Sequence, residues 1–204
     1  MAFDDVKLSH GARGVVRKLR HKGKTRHTKG HAERRGKIRI SNELAARPYA
    51  ANHRRWFGGD TVAGKTRQAC LVTLVDRKSR FVIGGKANKK NAREVSRVII
   101  CALRGLPVKT ITTDRGMEFA RHAEVTSALQ VPFYFPPPHQ PWQRGINENT
   151  NGLSREYLPK GQDLTDISQE CIQEVFDELN MRPRKCLGYR TPYEVFYKKP
   201  LHLT

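Results

Sequence analysis

The chain has 204 residues, enough for one well-buried core, and carries 39 Lys and Arg against 19 Asp and Glu, a formal charge of +20 at pH 7. That excess favours polyanions as partners, and no apolar run approaches the roughly 20 residues of a bilayer span. The four cysteines, Cys70, Cys101, Cys171 and Cys186, lie far apart with no CxxC pair, and no secretory signal opens the chain, so a reducing cytoplasm is expected.

Charge alone does not separate a nucleic-acid enzyme from a ribosomal-type scaffold or a solvated basic surface. Its distribution is informative. Residues 1 to 55 hold 16 Lys and Arg against four acids. Within them, residues 15 to 39 show no sustained apolar period, which predicts an extended or disordered basic arm. Lys22, Lys24 and Arg26 are its candidate phosphate contacts; a solvated linker is the competing reading. His21, His27 and His31 lack cysteine partners, which argues against zinc.

Residues 56 to 200 change character and read as one α/β domain. GGDTVAG places Asp60 on a first strand, and ACLVTLVD (69 to 76) and RFVIGGK (80 to 86) read as two adjacent strands around a DRKS turn. Asn91 and Glu94 form an N-terminal helix signal, followed by Val95, Val98, Ile99, Ala102 and Leu103 at helical spacing up to Gly105. VKTITTD (108 to 114) reads as a short strand ending at Asp114, followed by a helix over about 117 to 129 and a strand in QVPFYF. PPPHQP (136 to 141) interrupts regular structure, and a helix restarting near Arg144 or Gly145 carries Glu148. A last helix over about 167 to 181 carries a core stripe of Cys171, Ile172, Val175, Phe176 and Leu179. This order predicts a mixed sheet flanked by helices.

Several acids are candidates for chemistry. Phosphodiester cleavage in neutral water needs a nucleophile and neutralisation of phosphate charge, which two magnesium ions held by carboxylates can supply. Asp60, Asp114 and Glu148 converge only if sheet and helix pack together, and three such carboxylates repel one another unless a cation intervenes. Asp76 and Glu118 compete on spacing, but Asp76 reads as a turn residue and Glu118 as a carboxylate favouring a helix start. His139 in the proline loop reads as a local hydrogen-bonder.

PWQRGINENTNGLSREYLPKG (141 to 161) resembles the signature of insertion-sequence transposases of the insertion-sequence-thirty family. TTDRGMEFARH (112 to 122), LNMRPRKCLGYRTPYEVF (179 to 196) and GDTVAG with TLVDRKSRF resemble its other motifs, in the family's order. The resemblance implies a ribonuclease-H-like, integrase-type fold with a five-stranded sheet. It implies Asp60, Asp114 and Glu148 as both catalytic and metal-binding triad, with 33 residues between the last two. It further implies two magnesium ions, for which manganese can substitute, and DNA partners in the form of transposon ends and target DNA, bound by a homo-oligomer. Arg144, Asn147, Asn151 and Arg155 are candidate phosphate contacts near Glu148, and Trp142 a candidate base-stacking residue. Local packing of the two asparagines, and a buried anchor role for Trp142, are the competing readings.

The sequence also departs from the family. FGGD (57 to 60) stands where the family reads WEGD, so Gly58 replaces an acid, and PPPH (136 to 139) alters the approach to PWQRG. Family members carry N-terminal helix-turn-helix modules that residues 1 to 55 are too short and polar to provide. Two functions are therefore weighed: an active strand transferase of the bacterial cytoplasm and nucleoid, and a catalytically silent DNA-binding remnant or modulator of a full-length transposase.

Overall fold

The computed structural model of the chain describes residues 55–65, 68–136 and 145–201. The expected basic arm, with Lys22, Lys24 and Arg26, lies outside the described residues, as do Trp142, Arg144 and His139.

Five strands make one mixed sheet. They are β1 (Trp56–Ala63), β2 (Cys70–Asp76), β3 (Val82–Ala87), β4 (Thr110–Thr112) and β5 (Phe133–Tyr134), in the order β3-β2-β1-β4-β5. β1 pairs antiparallel with β2 and parallel with β4; β2–β3 is antiparallel and β4–β5 parallel. Among the described residues they are accompanied by α1 (Ala92–Leu103), α2 (His122–Leu129), α3 (Gly145–Tyr157), α4 (Gln169–Met181) and α5 (Pro192–Tyr197).

β2 shows why the sheet is covered on both sides. All seven of its residues are buried. Cys70, Val72 and Leu74 join one apolar cluster with Val95, Ile99 and Leu103 of α1 and Val125 of α2. The intervening Leu71 and Val75 join a second cluster with Ile172, Val175, Phe176 and Leu179 of α4. Successive strand residues point to opposite faces, so a continuous apolar run requires a helical layer on each.

Helix starts follow local capping chemistry. Asn91 and Ser168 accept from the backbone amides of Glu94 and Cys171, and Thr191 with Glu194 forms a reciprocal box ahead of Pro192. Two expectations need correction. The single helix over 117 to 129 is a 3-10 turn, Met117–Phe119, followed by α2, with Arg121 at the break in a non-helical conformation (φ −92, ψ 28). Cys171 is exposed rather than part of the core stripe, which consists of Ile172, Val175, Phe176 and Leu179.

Asp76 performs the turn role expected of it. Fully buried, it accepts from the Ser79 amide and hydroxyl and from the Arg55 amide, closing the β2–β3 turn. Asn180 of α4 does comparable work at the sheet edge. Its amide accepts from Val82 N and donates to Val82 O, both at 2.8 Å, so the side chain pairs with edge strand β3 as another strand would. Asn180→Leu leaves both groups buried without partners and should lower the unfolding free energy by about 2 kcal/mol, measured by urea denaturation.

Candidate active site

The site begins with strand direction. β1 and β4 run parallel with Gly58 opposite Thr112. Two residues further along each chain stand Asp60, still within β1, and Asp114, just past the carboxyl end of β4. The two aspartates therefore leave neighbouring strands at one level. Both are half-buried.

Asp60 points to the face covered by α3. Its Oδ1 accepts from the Thr61 amide at 2.8 Å, and its Oδ2 accepts from Asn151 Nδ2 of α3 at 2.9 Å. The carbonyl of the same Asn151 accepts from the hydroxyl of Thr73, the residue opposite Asp60 on β2, at 2.9 Å. One side-chain amide thus joins α3 to two strands. One turn earlier, Asn147 is buried over Gly58, where a Cβ would stand 2.4 Å from Asn147 Oδ1. Four helical residues advance about 6 Å and two strand residues about 6.6 Å, so Asn147 over Gly58 and Asn151 over Asp60 put α3 in step with β1. The glycine that replaces the family's acid makes room for this contact.

These positions correct part of the sequence reading. Asn147, 3% exposed, is seated against the sheet and is not available to a phosphate. Asn151, half-buried, is engaged with Asp60 and Thr73. Glu148 is exposed in the first turn of α3, and Gly152 and the half-buried Arg155 follow it at helical spacing. The structure brings Asp60 and Asp114 to one end of the sheet and the helix bearing Glu148 beside them. Among the described residues no three His, Cys, Asp or Glu side chains are gathered closely enough to hold an ion.

Asp114 is held by its own turn, with Oδ1 accepting from the Gly116 amide at 2.9 Å. Arg115 Nε donates to Pro136 O at 3.0 Å, tying this turn to the exit of β5. The hard oxygens of the aspartates suit magnesium, which usually takes one or two carboxylates and keeps several waters.

Glu118 is the residue that sequence reasoning undervalued. Its carboxylate stands in the first turn of the 3-10 helix, as expected, and also reaches across the fold: Oε1 accepts from Thr61 Oγ1 at 2.8 Å and pairs with Lys90 Nζ at 2.9 Å. Only the acid's closeness to Asp114 hinted at this, since Thr61 and Lys90 are remote in sequence. Burial pushes the Glu118 carboxyl upward, but its hydrogen bonds and the Lys90 charge outweigh that and leave it below the usual carboxylate range. The sign follows from the lowered folded-state value. The stability Glu118 contributes is complete above the unfolded value near 4.5 and is lost as pH falls through the folded one. Urea unfolding from pH 7 to pH 3 should show wild type more stable than Glu118→Gln at neutral pH, with the gap closing below about pH 4.

Comparison with known proteins agrees with this architecture. The integrase core domain family matches residues 50–141. The chain is 40% identical to the InsI transposase of insertion sequence element IS30A of Escherichia coli over 190 residues, 88% of this chain and 49% of the relative. It is 43% identical to the transposase of IS1086 of Cupriavidus metallidurans, over 80% of this chain and 50% of that one. It is 40% identical to the transposase of IS4351 of Bacteroides fragilis, over 79% and 51% respectively. The chain thus spans about half the length of these curated relatives. Among solved structures, the catalytic core domain of bovine immunodeficiency virus (BIV) integrase shares the fold with a TM-score of 0.56 at 18% identity, covering 71% of this chain and 94% of that one. A simian T-cell lymphotropic virus intasome bound to the PP2A regulatory subunit B56 gamma gives a TM-score of 0.57 at 19% identity, covering 95% and 68%. With an integrase core domain matched over residues 50–141 and some 40% identity along most of its length, the chain is similar to transposases of insertion sequence elements such as IS30A, IS1086 and IS4351.

Proposed function

We propose that this chain is the catalytic core of a DNA transposase that cleaves and joins DNA strands at Asp60, Asp114 and Glu148. The observation that carries the reading is that Asp60 within β1 and Asp114 just past the end of the parallel neighbour β4 stand at one level of the sheet, with α3 locked to Asp60 through Asn151. A third acid, Glu148, stands one turn before Asn151 on the same helix.

Two magnesium ions at these carboxylates would neutralise phosphate charge and make a nucleophile available at neutral pH. The chain's own part is placement. Asn151 fixes the orientation of Asp60 and the Gly116 amide fixes that of Asp114. Arg155, two turns beyond Glu148 on the same side of α3, is suited to hold a DNA phosphate beside the acids. Arg144 and Trp142 precede the same helix, and Lys22, Lys24 and Arg26 add sequence-independent attraction for the backbone. Water attacks a phosphodiester at the element's end and releases a 3′ hydroxyl; that hydroxyl attacks a target phosphodiester and displaces a second 3′ oxygen. No protein nucleophile is needed. The partners are the element's ends and target DNA, brought together by several copies of the chain.

Nicking of supercoiled plasmid tests this reading. The purified chain in magnesium or manganese should convert supercoiled to open-circular DNA, and both Glu148→Gln and a chelator should reduce conversion to background. DNA binding without nicking by the wild-type chain would favour the silent remnant instead.

A further inference from the structure

Asp60 and the residue after it are gripped from opposite faces of β1. Asn151 holds Asp60 on the α3 face. Thr61 points to the other face, where its hydroxyl donates to Glu118 Oε1, the same oxygen that Lys90 reaches. Three separate segments meet at that oxygen: β1, the connection between β3 and α1, and the 3-10 turn that follows β4. The Glu118 side chain is 13% exposed, so water screens this meeting point only weakly. Lys90 is itself anchored, its amide donating to Gln68 O at 2.7 Å.

Gly116 connects this cluster to Asp114. A Cβ there would stand 2.5 Å from Glu118 Oε2 and 2.9 Å from Asp114 Oδ1, so both carboxylates lie against one bare Cα. A carboxylate this close to Asp114 would repel it and compete for any cation unless its charge were met elsewhere. Lys90 meets it. Because Glu118 is bound to Thr61, the turn that carries Asp114 is bound to β1 beside Asp60.

We propose that Glu118 is a positioning residue: clamped by Lys90 and Thr61, it holds the Asp114 turn against β1 and sets the separation of Asp60 and Asp114. The proposal rests on the reading of these aspartates as cation ligands. Glu118 acts through Asp114 and does not itself bind cation or DNA. A role in general stability alone would lower the melting temperature and leave the cation affinity of the folded chain untouched.

The test is titration of the full chain with Mn2+, following free ion by electron paramagnetic resonance, together with thermal melting and plasmid nicking. Glu118→Ala should bind Mn2+ at least about tenfold more weakly at a temperature where it remains folded. Glu118→Gln, which keeps an acceptor for Thr61 and loses the Lys90 charge pair, should fall between Glu118→Ala and wild type. Wild-type affinity in Glu118→Ala overturns the proposal. If Glu118→Ala does not fold, Glu118→Gln decides: weaker binding supports the positioning role and unchanged binding overturns it. Asp114→Asn separates this from failure of the underlying reading. Loss of Mn2+ binding in Asp114→Asn with none in the Glu118 variants removes only the positioning role. Unchanged binding in Asp114→Asn removes the cation site itself.

Discussion

The parallel pairing of β1 with β4 is the constraint on which the site depends. An antiparallel partner would direct the two chains to opposite ends of the sheet and put Asp60 and Asp114 at opposite edges of the molecule. The parallel pair instead delivers both carboxylates to one end, and the register of Gly58 with Thr112 brings them level. Parallel neighbours cannot be joined by a tight hairpin; the connection must cross a face of the sheet. Here the chain passes through β2, β3 and α1 before returning as β4, and the face it crosses carries the first apolar cluster.

Around that pair, polar contacts determine position where apolar packing supplies cohesion. The second cluster seats α4 and the end of α3 on the sheet through Leu158, Ile172, Phe176 and Leu179, but such contacts tolerate small slides. Asn151 does not. An amide that donates to Asp60 while accepting from Thr73 permits one axial position of α3, and Asn147 over Gly58 repeats the constraint one turn earlier. The Lys90–Glu118–Thr61 cluster supplies the corresponding constraint on the opposite face. β1 is thus gripped on both faces beside Asp60, by Asn151 on one and by the Lys90–Glu118–Thr61 cluster on the other.

Local patterns made much of this legible in the sequence. Asn91 with Glu94 announced α1 because capping is decided within one turn, and the unbroken apolar run of β2 announced a strand buried on both faces. Strand and helix patterning placed Asp60 on β1 and Glu148 on α3, while the strand expected to end at Asp114 stops at Thr112. What remained hidden depends on long-range partners. Nothing near Asn147 or Asn151 says that they face the sheet rather than DNA, since that follows from how α3 docks. Glu118 finds Lys90 and Thr61 only once the sheet has assembled. The helix expected over 117 to 129 divides at Arg121, leaving Phe119 buried in the core and Glu118 turned to Lys90, contacts that periodicity cannot display. Cys171 failed for a simpler reason: it lies at the edge of the helical stripe, where a small apolar residue can face either way.

The proposed function requires Asp60, Asp114 and Glu148 to share divalent cation. Anomalous diffraction from crystals of the chain grown with manganese and a short DNA end tests it most directly. Anomalous density is expected within bonding distance of both Asp60 and Asp114, with Glu148 turned to complete the site. Density elsewhere on the chain, or none near these aspartates at saturating manganese, would contradict it.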